Sequence, residues 1–162
     1  MSEKTTVNLA SAFANRGTKY PYGCRFDATE ALPFVNARAV SAVFDGEYCF
    51  EDPDVDVFGN ITVHVIGLCD RCGDDADRIF TVPFDQTFYK DATSDCYTYN
   101  GGRLDIEKAL HDELSLSLPT LLLCRDDCKG ICVKCGANLN RQSCNCDTSE
   151  PNAFSVLKDL KF

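Results

Sequence analysis

The sequence predicts an α+β fold: an antiparallel β-meander or small barrel-like sheet, one central helix, a cysteine-rich zinc-binding C-terminal module and a short terminal helix. Three observations lead to this prediction. Residues 35–90 alternate apolar and polar side chains over long stretches, which is typical of half-buried strands. Residues 104–118 repeat leucines at helical spacing. Residues 124–146, CRDDCKGICVKCGANLNRQSCNC, hold six of the 11 cysteines.

We expect three parts along the chain. Residues 1–118 form a β-rich domain that includes the helix 104–118, and residues 119–150 form the zinc module. Residues 151–162 form a C-terminal docking helix, because apolar side chains recur there at helical spacing behind an Asn cap. These positions are Phe154, Leu157 and Leu160, after Asn152.

The strands of the first part are predicted from their alternation and their turn residues. Asp45-Gly46 lies between two alternating runs and predicts a two-residue hairpin turn. Ile61, Val63 and Val65 share one face of a following strand. Pro83 moves its strand towards a sheet edge or a bulge, because proline cannot donate to a ladder. Before residue 35, the runs TVNLA and YGCRF are candidate short strands.

The central helix has a cap, an apolar face and a stop signal. Asp105 is the predicted cap, and Pro119 marks the end. The apolar face repeats every four residues at Ile106, Leu110, Leu114 and Leu118.

Composition restricts the compartment and the class of partner. No apolar run approaches the roughly 20 residues of a membrane-spanning helix, and no secretory signal is evident, so we expect a cytoplasmic protein with no membrane partner. In a reducing compartment, closely spaced cysteines favour metal over disulfides. The net charge is −9, with 17 acids against 5 bases in residues 41–118 and 4 bases against 2 acids in residues 124–146. An acidic body suits basic protein partners or simple solubility.

Two stretches share the form Cys-x-x-Cys-Gly, namely Cys69-Asp-Arg-Cys72-Gly73 and Cys132-Val-Lys-Cys135-Gly136. Two intervening residues let both thiolates face one ion, and the glycine can take a positive φ. Two further pairs have ligand spacing, which makes eight candidate ligands and predicts two Zn²⁺ sites per chain. The candidates are Cys69, Cys72, Cys124, Cys128, Cys132, Cys135, Cys144 and Cys146.

The spacing leaves two groupings of these pairs open. In the first, the pairs 132/135 and 144/146 close a local loop, and the pairs 69/72 and 124/128 join the β-rich domain to the zinc module. In the second, the pairs 124/128 and 132/135 are exchanged. The lower cost of closing a short loop favours the first grouping.

The sequence gives little support to an enzymatic function, and we expect a non-catalytic protein without a small-molecule substrate. Neither His64 nor His111 lies in a catalytic zinc motif, and sites filled by four cysteines are closed. The carboxylates of residues 51–58 and 70–78 do not match a calcium loop and are interpreted as solvated acidic turns. The remaining cysteines are expected to be buried thiols: Cys24, Cys49 and Cys96.

The order of four motifs resembles the YceD family of large ribosomal RNA subunit accumulation proteins. The motifs are GLCDRCGDDADRIFTVPF, LDIEKALHDELSLSLP, CRDDCKGICVKCGANLN and PNAFSVLKDL. The resemblance runs from about residue 35 to the C-terminus. It implies a metal-binding factor linked to large-subunit rRNA accumulation, with ligands at Cys69 and Cys72 and at the cluster Cys124, Cys128, Cys132 and Cys135. For Cys144 and Cys146, the spacing is the main argument.

The expected partners are a large-subunit rRNA precursor, basic ribosomal or assembly proteins, or both. We call residues 124–146 the zinc loops. Candidate RNA contacts are the cations of these loops, with two asparagines as base or sugar contacts. The cations are Arg125, Lys129, Lys134 and Arg141, and the asparagines are Asn138 and Asn140. Two other functions stay open: a thiol-based, redox-responsive zinc protein, and a zinc-stabilised protein-interaction adaptor.

Overall fold

The computed structural model describes residues 5–90 and 96–146. The elements in chain order are β1 (Thr6–Asn8), α1 (Ala10–Ala14), β2 (Lys19–Phe26), β3 (Ala37–Glu51), β4 (Asp54–Leu68), β5 (Asp75–Phe88), β6 (Arg103–Asp105) and α2 (Glu107–Ser117), with a short 3₁₀ turn at Thr29–Ala31 after β2. The predicted helix 151–162 lies outside the described residues, and the division of the chain into three parts stays a prediction. Within the described residues, the helices are too short or too polar to span a membrane.

A four-stranded antiparallel sheet dominates the fold, with the strand order β2-β3-β4-β5. The prediction of a mainly antiparallel sheet is confirmed. Each strand pairs with the next one along the chain, so the topology is the predicted meander rather than a barrel. β1 and β6 form a separate two-stranded pair. β3 and β4 are long and pair over nearly their whole length, which makes them the central hairpin of the sheet.

The inner face of the sheet is covered and carries the core. Ile61, Val63 and Val65 are fully buried on the inner face of β4, as their alternation predicts. α1 packs there through Phe13, whose ring centroid lies 4.7 Å from that of Phe50, and β1 is tied there by the Tyr48 hydroxyl, which donates to the Asn8 carbonyl over 3.1 Å. The core therefore lies between the sheet and the helices.

The outer face comprises the side chains that alternate with this core. We use the name for the outward residues of β2–β5, which include Lys19, Asp45, Glu47, Phe58, Ile66, Leu68, Asp77, Ile79 and Asp85. Ile79 is 66% exposed and Leu68 is 47% exposed.

The predicted hairpin turn at Asp45-Gly46 is wrong. Both residues lie inside β3, and the chain turns at Asp52-Pro53 instead. Gly46 faces Gly59 across the β3–β4 ladder, and a Cβ at Gly46 would lie 2.8 Å from both the Gly59 Cα and the Phe44 ring. Glycine is therefore required at position 46, because β3 and β4 approach each other too closely there to leave room for a side chain.

α2 confirms the predicted apolar face but begins later than predicted. Ile106, Leu110 and Leu114 are fully buried. Helix α2 begins at Glu107, because Leu104 and Asp105 belong to β6, which pairs with β1. The Asp105 carboxylate accepts a hydrogen bond from the Glu107 N–H over 3.0 Å, so it does satisfy a free donor of the first turn.

The remaining strand predictions agree with the structure. TVNLA and YGCRF contain β1 and most of β2, respectively. Pro83 lies in β5, which is an edge strand of the sheet. Of the lone cysteines, Cys24 and Cys49 are buried as expected, but Cys96 is exposed, because it lies in the loop after β5 rather than in a strand.

Candidate metal centres

The eight candidate ligands form two separate clusters. The first cluster is Cys69, Cys72, Cys124 and Cys128, and the second cluster is Cys132, Cys135, Cys144 and Cys146. Within each cluster the sulfur atoms all lie within 4.8 Å of one another. This is the grouping that loop closure favoured, and the exchanged grouping is not found.

The sulfur spacing fits a tetrahedral metal ion. In the first cluster the Cys69 and Cys128 sulfurs are 3.8 Å apart, and the Cys72 and Cys124 sulfurs are 3.7 Å apart. Four thiolates about 2.3 Å from a Zn²⁺ ion would lie about 3.8 Å from each other, whereas a disulfide needs about 2.05 Å. The donor set and its spacing therefore fit a structural zinc site with four sulfur ligands.

The first cluster is built on the loop between two strands. We call each Cys-x-x-Cys-Gly stretch a knuckle, the first being residues 69–73 and the second residues 132–136. Cys69 directly follows β4, and Cys72 lies just before β5, so the first knuckle is the turn of the β4–β5 hairpin. The Cys69 N–H donates to the Asp74 carbonyl and the Gly73 N–H donates to the Cys69 carbonyl, both over 2.8 Å. Gly73 has φ +74°, a conformation that favours glycine.

The second knuckle repeats the same backbone pattern. The Cys132 N–H donates to the Ala137 carbonyl and the Gly136 N–H donates to the Cys132 carbonyl, again over 2.8 Å each. Gly136 has φ +72°. Two segments 63 positions apart in the chain thus fold into one local structure, because both have the Cys-x-x-Cys-Gly sequence.

Backbone N–H groups lower the pKa of the first cysteine of each knuckle. Burial alone would raise the pKa of Cys69, but the N–H groups of Cys124, Arg71 and Cys72 lower it to about 6. The N–H groups of Cys135 and Lys134 likewise lower the pKa of Cys132 to about 6. Since the thiolate is the form that binds metal, the lowered pKa favours the metal-binding form of Cys69 and Cys132.

The segment after α2 is held against the Cys69–Gly73 turn by hydrogen bonds. The Asp70 N–H donates to the Leu122 carbonyl over 2.8 Å, and the Leu122 N–H donates to the Asp70 carboxylate over 2.6 Å. The Arg71 guanidinium donates to the Cys128 carbonyl over 2.8 Å. Leu122 is fully buried, and so it anchors the segment that carries Cys124 and Cys128.

Asp74 connects the two clusters, a role that the sequence alone did not predict. Its carboxylate accepts hydrogen bonds from the Asn138 amide over 2.9 Å and from the Arg141 guanidinium over 2.8 Å. The interpretation of residues 70–78 as solvated acidic turns is therefore wrong for Asp70 and Asp74. The signal available in the sequence was the position of Asp74 directly after Gly73, with the cation Arg141 in the loop that follows Gly136.

The predicted RNA contacts lie around the clusters, and several have partners within the protein. Asn140 accepts from Arg125 and from the Lys129 N–H, both over 2.8 Å, and its amide donates to the Cys128 sulfur over 3.3 Å. Arg125 also pairs with Asp127 over 3.2 Å. Asn138 and Asn140 thus stabilise the loops that carry the cysteine clusters. The side chains of Lys129 and Lys134 are exposed beside them.

Neither histidine belongs to a cluster. His64 lies on the outer face, where its Nε2 atom is 2.7 Å from the Asp77 carboxylate. His111 lies on α2 with its ring centroid 5.7 Å from that of Phe26.

The family model of the large ribosomal RNA subunit accumulation protein YceD matches residues 57–161, which is most of the chain and includes both knuckles. The chain belongs to the YceD family. YceD relatives include the chloroplastic large ribosomal RNA subunit accumulation protein YCED homolog 1 of Arabidopsis thaliana. That protein is 43% identical over 59 residues, covering 36% of this chain and 18% of the relative. The Zea mays protein of the same name is 39% identical over 58 residues, covering 35% and 20%.

A bacterial relative extends the match. An uncharacterized protein of Mycobacterium leprae is 28% identical over 94 residues, covering 53% of this YceD-family chain and 43% of the relative. In each of these three relatives, the match covers less than half of the relative's length. No solved structure matches the chain.

Proposed function

We propose that this chain is a non-catalytic, zinc-stabilised accessory factor for the accumulation of large-subunit ribosomal RNA, acting in the cytoplasm. The family match supports the link to rRNA, and the two four-cysteine clusters support the structural role of zinc. Zinc supplies no reaction in this proposal. When bound, it closes the loops that carry Arg125, Lys129, Lys134 and Arg141.

The observation that carries the proposal is the positive net charge of residues 124–146 beside the acidic residues 41–118. Residues 124–146 hold 4 bases against 2 acids, whereas the whole chain has a net charge of −9. Phosphate contacts require local positive charge, so the zinc loops are the surface best suited to rRNA. Lys129 and Lys134 are exposed beside the two clusters, and we assign them to direct phosphate contact.

The test is native-salt affinity purification of the tagged full chain, with and without ribonuclease. We expect large-subunit rRNA precursors in the purified material. The charge reversal Lys129→Glu with Lys134→Glu should reduce their recovery severalfold, whereas the matched reversal Lys90→Glu with Arg103→Glu should not. If recovery is unchanged by the first pair, these lysines are not the contact; if no precursors are recovered, the chain is better described as a protein-interaction adaptor.

A second candidate function, a redox-responsive zinc protein, is favoured by one observation. Cys135 is exposed and Cys144 and Cys146 are half-buried, whereas three ligands of the first cluster are buried. Exposed thiolates are the ones that oxidants reach. If the second cluster is a sensor, mild peroxide should release one zinc per chain and leave the other, and thiol reduction should allow the zinc to rebind. Simultaneous release of both ions would contradict this function.

A further inference from the structure

The outer face of the sheet is a second surface, and the zinc-loop proposal does not use it. The described helices and the β1–β6 pair contact residues of the inner face, such as Phe26, Tyr48 and Phe50. On the opposite side, Leu68 and Ile79 stand out as exposed apolar side chains. A groove of about 630 Å³ lies at the end of the sheet that carries Leu68, and its lining includes Val35, Ile66, Leu68, Arg38, Asp75 and Asp77.

Carboxylates dominate the charge of the outer face. The face alternates with buried residues on each strand, which allows its charged members to be assigned from the strand register. The acids on this face are Asp45, Glu47, Glu51, Asp54, Asp56, Asp75, Asp77 and Asp85, and the bases are Lys19, Arg25 and Arg38. The negative potential of the face therefore repels nucleic acid and attracts cationic side chains.

One cross-strand row shows how a cation can be held there. Glu47 pairs with Phe58, and Phe58 pairs with Asp85, so the aromatic ring stands between two carboxylates. The ammonium of Lys19 already lies over this ring, 4.6 Å from its centroid. Aromatic faces attract ammonium and guanidinium groups, so the chain's own lysine demonstrates that this part of the face accommodates a positive charge.

We propose that the outer face binds a basic polypeptide segment of a partner protein. The lysine and arginine side chains of the partner segment lie against Asp45, Glu47 and Asp85, and the apolar side chains of that segment cover Ile66 and Ile79. The carboxylates of the face favour a cationic polypeptide over RNA, which is an anion. The exposed apolar side chains at one end of the face favour a segment that also carries apolar side chains. The proposal concerns a surface other than the zinc loops and stands whether or not those loops bind rRNA.

The test uses the purified, zinc-loaded full chain and a short, unstructured peptide rich in lysine, arginine and isoleucine. Backbone NMR shifts are followed during the titration, and affinity is measured by calorimetry at two salt concentrations. We expect shifts concentrated on β3, β4 and β5 at outward positions, and weaker binding at high salt. A peptide in which glutamate replaces the cations should not bind.

Matched variants locate the site. Removing the carboxylates beside Phe58 by Glu47→Gln with Asp85→Asn should weaken peptide binding by about tenfold, as expected for the loss of two exposed charge pairs. The control Glu30→Gln with Asp127→Asn removes the same charge away from the outer face and should leave the affinity unchanged. Ile79→Ser should weaken binding without altering its salt dependence.

Three results would overturn the proposal. Equal weakening by both charge variants would mean that only net charge matters. Peptide-induced shifts confined to the zinc loops would place the site elsewhere. Shifts of outer-face residues on addition of oligouridine would make the face a nucleic-acid surface. Because no ribosomal precursor takes part in these measurements, their failure is separate from failure of the proposed rRNA role.

Discussion

The two cysteine clusters share one knuckle structure but differ in what they hold together. The first cluster joins the β4–β5 turn to the segment after α2, and three of its four cysteines are buried. The second cluster draws all of its ligands from residues 132–146, and only Cys132 is buried. The same ligand chemistry thus supports the fold in one place and a surface loop in the other. The difference arises from sequence separation and burial.

Loss of a ligand should show the largest difference between the clusters. Cys128→Ser should lower the free energy of unfolding by about 4 kcal/mol, because the loss of a structural metal is one of the few single changes with an effect of that size. Cys146→Ser should cost about 1 kcal/mol, because its loop closes locally and is more exposed. Denaturant unfolding and zinc content measured on both variants check this expectation. Equal losses of stability would remove the distinction between the clusters.

Removal of the Asp74 carboxylate should have an intermediate effect. Asp74→Ala removes the acceptor of the Asn138 and Arg141 hydrogen bonds and should cost about 2 kcal/mol, within the range for bonds to a charged group. Amide hydrogen exchange should become faster in residues 132–146 and stay unchanged in β3 and β4. Asp75→Ala, at the neighbouring exposed position, is the control. If exchange in the second cluster is unaffected, the two clusters are not coupled through Asp74.

The smallest effect should come from the first intervening residue of each knuckle. Asp70→Ser replaces the carboxylate that accepts from the Leu122 N–H by a shorter, neutral hydroxyl and should cost about 1 kcal/mol. Val133→Ser alters a side chain that is 90% exposed, and it should leave the free energy of unfolding within about 0.5 kcal/mol of the parent. Thermal unfolding of the two variants at equal zinc loading measures the contrast. A Val133→Ser loss as large as that of Asp70→Ser would show that the tip of the second knuckle is packed.

Local signals predicted much of this structure. The alternation of Ile61, Val63 and Val65 and the periodic leucines of α2 depend on burial of one face, and burial is what the structure shows. The grouping of the eight cysteines into two clusters followed from short-loop closure, and the structure has the same grouping.

The errors arose where distant residues determine the local conformation. Asp45-Gly46 has a strong turn preference, but both residues stay extended because they pair with Asn60 and Gly59 in the long β3–β4 ladder. Leu104 was assigned to the helix because its pairing with Val7 cannot be inferred from neighbouring residues. The bridging role of Asp74 depends on contacts with residues more than 60 positions away, which spacing within one motif does not reveal.

The wide separation of Cys72 and Cys124 has a consequence for the order of events during protein synthesis. Cys69 and Cys72 are translated more than 50 residues before Cys124 and Cys128, so the nascent chain holds two of the four cysteines of the first cluster until the later pair emerges. At about 5–20 residues per second, this interval lasts several seconds. The second cluster is completed within 15 residues of its first ligand. The first cluster therefore cannot close until the segment after α2 has been made, whereas the second cluster can close as soon as its own loop has been made.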